Sequence, residues 1–289
     1  MNADRKAWGW CPSVLRPMPL DDGLMVRIRV PGGALTRTQA QGLADLAESF
    51  GAGFIELTNR ANLQLRGLST ADHAALVPEL DALGLTEIDH TPSGRVNITQ
   101  SPFLDQRASL LATDLAEKLA EKTFGTLPQK FGFVVDVGPK RVLSDVPGDV
   151  RIEAAGDAVI VRADGVETGG VVADPVARCV EIARWFIASG CIGADGRGRL
   201  VDHAARLPED LCGETRPNAP ETISTDGPAW VVAQEGRLRP ATLRMALKPG
   251  VTALRVTPFR ALYLPELALA QTRDNKAETT TEGDGVDAV

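Results

Sequence analysis

Tyrosine occurs once in this chain, and aromatic residues together make up only 4% of it. Proteins that bind single-stranded nucleic acid stack bases on aromatic side chains set among cations, and that interleaving is missing. A cationic excess is missing too. Lys and Arg number 31 against 38 Asp and Glu, a formal charge of −7. Nucleic-acid affinity comes mainly from Lys and Arg neutralising phosphates, so no nucleic-acid partner is expected. The acidic balance does not exclude a small anionic ligand, because a few arginines in a cleft outweigh distant carboxylates. No stretch approaches the roughly 18 consecutive apolar residues of a membrane helix, so no membrane partner is expected either. The opening "MNADRKAWGWCPSVLRPMP" lacks the apolar segment of a secretory signal, which predicts a soluble, cytoplasmic protein.

Reactive clusters are equally scarce. The four cysteines, Cys11, Cys179, Cys191 and Cys212, are far apart and form no CxxC, which excludes a disulfide framework. A [4Fe–4S] cluster needs four thiolates, usually with several close in sequence, and no such set is readable. Cys179 falls at an apolar helix position and reads as a small core hydrophobe. His73, His90 and His203 make no HExxH pair, so no metal site is assigned. "GADGRG" at 193–198 has the wrong spacing and context for a phosphate loop.

What the chain does have is apolar material, 44% of 289 residues, enough for one large domain or two modest ones. "LMVRIRV" (24–30) alternates with period 2 and reads as a strand, ended by "PGG". Thr36 then caps a helix, with Gln39 at capping-box spacing and Gly51 as its stop. Strands at 54–58 and 61–66 and a helix over 70–83 complete an α+β module. Further on, a helix over 105–122 is built on Leu110, Leu111, Leu115 and Leu119, and "KFGFVVDVG" reads as a buried strand. "DVRIEAAGDAVIVRADG" reads as a hairpin, and "DPVARCVEIARWFIAS" as a capped helix. Near the end, "TALRVTPFRALYL" (252–264) aligns under "FIELTNRANLQL" (54–65), Thr257 under Thr58 and Leu262, Leu264 under Leu63, Leu65. This is an internal repeat with a long insertion. The fold class is α+β, with modules at 1–90, 91–220 and 225–267, and a polar tail at 268–289 that reads as disordered.

Basic residues stand where strands end: Arg60, Arg66, Arg95 and Lys130. Asn62, Gln64 and Asn97 accompany them at strand spacing. Singly, each arginine reads as a solvated residue on the open face of an antiparallel sheet. As a set they read as a cleft for a ligand with several carboxylates, since Arg offers carboxylate a planar fork and Lys a point charge.

"VRIRVPGGALTRTQAQGLADLAESFGAGFIELTNRANLQLRGL" (26–68) resembles the ferredoxin-like half module of the sulfite and nitrite reductase family. "GWCPSVLRPM" (9–18), "LPQKFGFVVDVGP" (127–139) and "LRVTPFRALYL" (254–264) are most similar to the precorrin-3B synthase branch of that family, oxidoreductases of cobalamin biosynthesis. The resemblance covers about 8–267 and implies two ferredoxin-like half modules related by a pseudo-two-fold, with a larger α+β module between them. It implies a tetrapyrrole cofactor or substrate, a precorrin or siroheme-like heme, held by Arg60, Arg95 and Lys130 as anion-binding residues. Where the reductases carry a second lysine, this chain has Gly132, which fits a ligand other than sulfite. The resemblance also implies a [4Fe–4S] cluster on closely paired cysteines, which this chain lacks. Three readings stay open: an iron–sulfur oxidoreductase of the precorrin-3B synthase type, a tetrapyrrole-binding protein or subunit whose partner chain supplies the cluster module, or a stable α+β remnant with no ligand.

Overall fold

The structure is a computed structural model, and it describes residues 11–86, 96–103 and 105–270. β1 (Met18–Leu20) and β2 (Gly23–Arg29) form a hairpin. The alternation of β2 buries Val26 and Ile28 completely and leaves Arg27 and Arg29 half-buried. A turn at Pro31–Gly33 leads to β3 (Ala34–Thr36) and α1 (Arg37–Ser49). α1 opens on the capping box read from the sequence: the Gln39 N–H donates to Thr36 Oγ1, and Gln39 Oε1 accepts from the Thr36 N–H. β4 (Ile55–Leu57), β5 (Asn62–Leu68) and α2 (Thr70–Ala82) follow, α2 carrying a second box between Ser69 and Asp72.

The insertion contributes β6 (Asn97–Gln100), α3 (Gln106–Leu119), β7 (Gly132–Asp136), β8 (Val150–Ala155), β9 (Ala158–Ala163), β10 (Gly170–Val171) and α4 (Pro175–Ala188). Its sheet runs β10-β9-β8-β7-β6, with β6, β7 and β8 parallel and the rest antiparallel. All five residues of β7 are buried, as a strand covered on both faces requires. In α3, Leu115 and Leu119 are buried but Leu110 is 57% exposed. Leu110 and Leu111 are adjacent, so they point about 100° apart and only one faces the sheet.

The repeat is real in three dimensions. β11 (Trp230–Val232), β12 (Arg237–Leu238), α5 (Pro240–Ala246), β13 (Ala253–Val256) and β14 (Ala261–Tyr263) reproduce the order of β2, β3, α1, β4 and β5. Both turns after Thr58 and Thr257 have a positive-φ residue three positions on, Ala61 at 53° and Arg260 at 55°. The turn before β3 has Gly32 and Gly33 at φ 59° and 71°, and its mate before β12 has Glu235 and Gly236 at 52° and 80°. Leu63, Leu65, Leu262 and Leu264 are each 1% exposed.

The two copies exchange their short strands. β12 of the second copy extends the first sheet, in the order β1-β2-β5-β4-β12, and β3 of the first copy extends the second, β11-β14-β13-β3. Leu238 pairs with Ile55, and its symmetry mate Leu35 pairs with Leu254. One core runs through both copies as a result. α1 and α5 pack together across it, Arg244 reaching Asp45 at 2.6 Å and Glu48 at 2.7 Å. Arg37 ties β3 to the other copy by donating to the carbonyls of Leu247, Lys248 and Val251. The insertion has its own core around Phe131, Phe133 and Phe186. This is the mixed α+β architecture of paired half modules with an α+β insertion. Residues 265–270 are helical, and the polar tail beyond 270 lies outside the described residues.

Candidate anion-binding cleft

A cleft of about 480 Å³ opens where both copies meet the insertion. That is within the range of small-molecule sites. Its walls are the turn at 60–62, the turn at 32–34, β6, one side of α3 and the end of β13.

Arg60 is held at its rim by a compact turn. The N–H groups of Arg60 and Asn62 both donate to Thr58 Oγ1, at 3.4 and 3.1 Å. Arg60 is half-buried, and among the described residues its guanidinium has no hydrogen bond or ion pair. Its pKa is pushed below the usual arginine value, first by burial and then by the neighbouring charge of Arg199. Asn62, 6% exposed, donates through Nδ2 to Asn97 Oδ1 at 3.0 Å, and Asn97 Nδ2 donates to Thr99 Oγ1 at 2.8 Å. These amides are fixed by one another, a row of oriented dipoles along the wall. Gln100 Nε2 donates to Gly32 O at 2.5 Å, and Gln100 Oε1 is buried without a partner.

Arg255, on β13, reaches the cleft from the second copy. It too is half-buried and lacks a partner among the described residues, and burial depresses its pKa. The sequence reading missed it. A signal existed: the repeat sets Arg255 under Glu56, a reversal of charge at an otherwise matched position.

The other anticipated residues are elsewhere. Gln64 and Arg66 share the face of β5 with Asn62, but each pair of residues along a strand advances about 7 Å, which carries them away from the cleft. Arg66 is ion-paired with Asp22 at 3.1 Å and Glu56 at 3.2 Å. The Gln64 amide fits between Glu56 Oε2 and Arg27 Nη2. Lys130 is exposed in the turn before β7 and does not line the cleft. Arg95 lies outside the described residues.

The thiols do not converge. Cys179 is fully buried, which raises its pKa far above the usual thiol range. Cys191 is buried beside Ser189 and Arg206, while Cys11 and Cys212 are half-exposed; all four are free. Among the described residues no group of three or more His, Cys, Asp or Glu could hold a metal ion. These cysteines therefore do not fit a [4Fe–4S] cluster, which requires four thiolates around one point. No described helix is long and apolar enough to cross a membrane.

Residues 16–83 match the nitrite/sulfite reductase ferredoxin-like half domain. Over 236 residues the chain is 33% identical to a precorrin-3B synthase of Sinorhizobium sp, an alignment that covers 76% of this chain and 50% of that protein. A ferredoxin–nitrite reductase of Synechococcus elongatus is 34% identical over 126 residues, covering 39% of this chain and 25% of its own. Among solved structures, the NirA protein of Mycobacterium tuberculosis superposes with a TM-score of 0.58 at 16% identity, over 86% of this chain and 55% of NirA. The chain thus spans about half the length of the precorrin-3B synthase and of NirA. At that identity, the likeness to NirA is one of fold.

Proposed function

The chain belongs to the nitrite/sulfite reductase ferredoxin-like family, and from that premise we propose that it is the tetrapyrrole-holding part of a precorrin-3B synthase-type oxidoreductase of cobalamin biosynthesis. The observation that carries this reading is the pair Arg60 and Arg255 on one cleft, both half-buried and neither in an ion pair among the described residues. An uncompensated buried cation costs free energy. A polycarboxylate tetrapyrrole supplies the missing anions at several points of one rigid ring, and arginine forks grip carboxylates in a fixed plane. Asn62, through its bonds with Asn97, orients neutral amides toward the same space.

The redox chemistry of the relatives' class is a cofactor's contribution. The described cysteines do not fit a cluster, so no electron-transfer step is assigned to them. Their dispersal favours the second reading within the same family, a binding subunit whose partner chain supplies the cluster module. Four free cysteines and no disulfide support a cytoplasmic setting for either reading.

The test is an absorbance titration with uroporphyrin, a tetrapyrrole with peripheral carboxylates. Arg60→Ala and Arg255→Ala are each expected to weaken binding by about 1–3 kcal/mol, the range for a charged hydrogen bond. Unchanged affinity in both variants removes the cleft as the ligand site. Iron and acid-labile sulfide measured on anaerobically purified chain separate the two readings. About four of each per chain sinks the binding-subunit version.

A further inference from the structure

The parallel strands β6, β7 and β8 start side by side, and their first residues make a second basic locus that shares Arg60 with the cleft. Gly132, at the head of β7, lies opposite Asn97. Asp149, just before β8, donates its N–H to Gly132 O and accepts the Gly132 N–H at Oδ2. Asp149 is fully buried and takes three further hydrogen bonds, from Leu200 N–H at 2.8 Å and from Arg199 Nε at 2.9 and 3.2 Å. Arg199 Nη2 donates to Gly148 O at 2.9 Å. That leaves Arg199 Nη1 without a partner among the described residues, on a side chain that is 28% exposed. From the other side, Arg60 Nη1 comes within 3.2 Å of where a Cβ on residue 132 would sit. Two arginines with N–H groups unpaired among the described residues therefore stand near Gly132, a backbone position with no side chain.

We infer that Arg199 and Arg60 clasp one peripheral carboxylate of the ligand over the bare backbone of Gly132, with buried Asp149 fixing the orientation of Arg199; this rests on the tetrapyrrole reading above. Three features carry the argument. Like charges gathered at a half-buried edge are unfavourable until an anion joins them, and the nearby Arg199 charge already depresses the Arg60 pKa. Arg27 adds to the same field, and its Nε is a buried donor without a partner among the described residues. Asp149 pairs with Arg199 and also draws on Arg60, but it is a single anion among these three cations. Glycine at 132 keeps this space open: a Cβ there would lie 3.2 Å from Arg60 Nη1 and from Asn97 O, and would have to push the guanidinium aside by a few tenths of an ångström.

A structural role for Arg199, pinning the 199–206 segment to the sheet, predicts a loss of stability without a specific loss of binding. The test uses uroporphyrin titrations on variants of the full chain, alone and combined with Arg60→Ala. Arg199→Gln combined with Asp149→Asn removes both charges together, so no buried ion is left unpaired; the asparagine amide can accept from only one of the Gly132 and Leu200 N–H groups, and circular dichroism and a melting curve check that the variant still folds. Gly132→Ala leaves both charges in place and fills the gap between them. Each is expected to bind about 10- to 100-fold more weakly, the range for losing a charged hydrogen bond. Neither loss is expected to add to that of Arg60→Ala, because the two arginines hold the same carboxylate. The loss from Arg255→Ala does add to it. Wild-type affinity in the folded Arg199→Gln/Asp149→Asn variant, or full additivity with Arg60→Ala, overturns the clasp while the tetrapyrrole reading stands. No uroporphyrin binding by the wild type overturns both. Saturation of the locus by sulfite alone, with no competition against uroporphyrin, reassigns it to a free small oxyanion and also overturns the clasp.

Discussion

Replacing Arg60 by methionine should make the protein more stable and its binding worse. The guanidinium is half-buried, has no hydrogen-bond or ion-pair partner among the described residues, and burial and the like charge of Arg199 outweigh the attraction of Asp149. Methionine keeps an apolar stem of similar length and removes the desolvated charge. Replacing poorly compensated buried charges by apolar residues typically stabilises by about 1–4 kcal/mol, and partial exposure puts Arg60 at the low end, about 1 kcal/mol. For a chain of this size that is a rise of about 2–4 °C in melting temperature. Arg151→Met is the contrasting case. Arg151 is 3% exposed and donates to Leu143 O at 3.1 Å, Val146 O at 2.6 Å and Asp164 Oδ1 at 3.0 Å. Its loss strands two carbonyls and a carboxylate, and about 3–5 kcal/mol of stability goes with them. Urea unfolding of both variants, with uroporphyrin titration in parallel, makes the comparison. If Arg60→Met loses more than about 1 kcal/mol, Arg60 is a structural cation and the reasoning from unpaired charge fails.

Asp136 is fully buried, and burial raises its carboxyl pKa to about 6 against the pull of the Leu143 and Val142 N–H groups, with Glu153 adding to the rise and Arg141 opposing it. The native state thus holds this proton more tightly than the unfolded chain, so its contribution to stability is present at low pH and is lost as pH climbs from about 4 to about 6. The loss amounts to about 3 kcal/mol. Asp136→Asn should remove that part of the slope in urea midpoints measured from pH 4 to 8, and an unchanged slope refutes it. Thr36→Ala breaks the capping box of α1 and should cost about 1 kcal/mol in the same assay. Because one core joins both copies, Leu63→Ala and its mate Leu262→Ala should each cost about 2–5 kcal/mol in a single cooperative transition, whereas two separate transitions would show independent modules.

Local features were the most legible. The capping box at Thr36 and Gln39, the strand alternation of 24–30 and the paired leucines of the repeat each depend on neighbours within a few residues, and each is present in the fold. Arg60, Asn62 and Asn97 line the cleft because their strand ends converge there. Gln64 and Arg66 belong to the same alternating face, yet Glu56 and Asp22 neutralise that end of the strand, and charge pairing between strands is not encoded in spacing. Arg199 was invisible, and Arg255 was marked only by the charge reversal against Glu56 in the repeat, for a related reason. Their relevance comes from proximity to Arg60 and, for Arg199, from Asp149 beside Gly132, over sequence separations that local spacing does not record. The exchange of β3 and β12 was also hidden, since strands of three and two residues leave little pattern.

That exchange has a consequence in time. Glu56 waits for Arg237, and Leu35 for Leu254, so neither sheet is complete until the last strands emerge from synthesis. Closing such long loops is slow, and until then β4 and β3 present unpaired edges to other chains. The cleft includes Arg255, so it comes into being only when those edges are sealed. A bound ligand therefore reports that both copies of the repeat have folded.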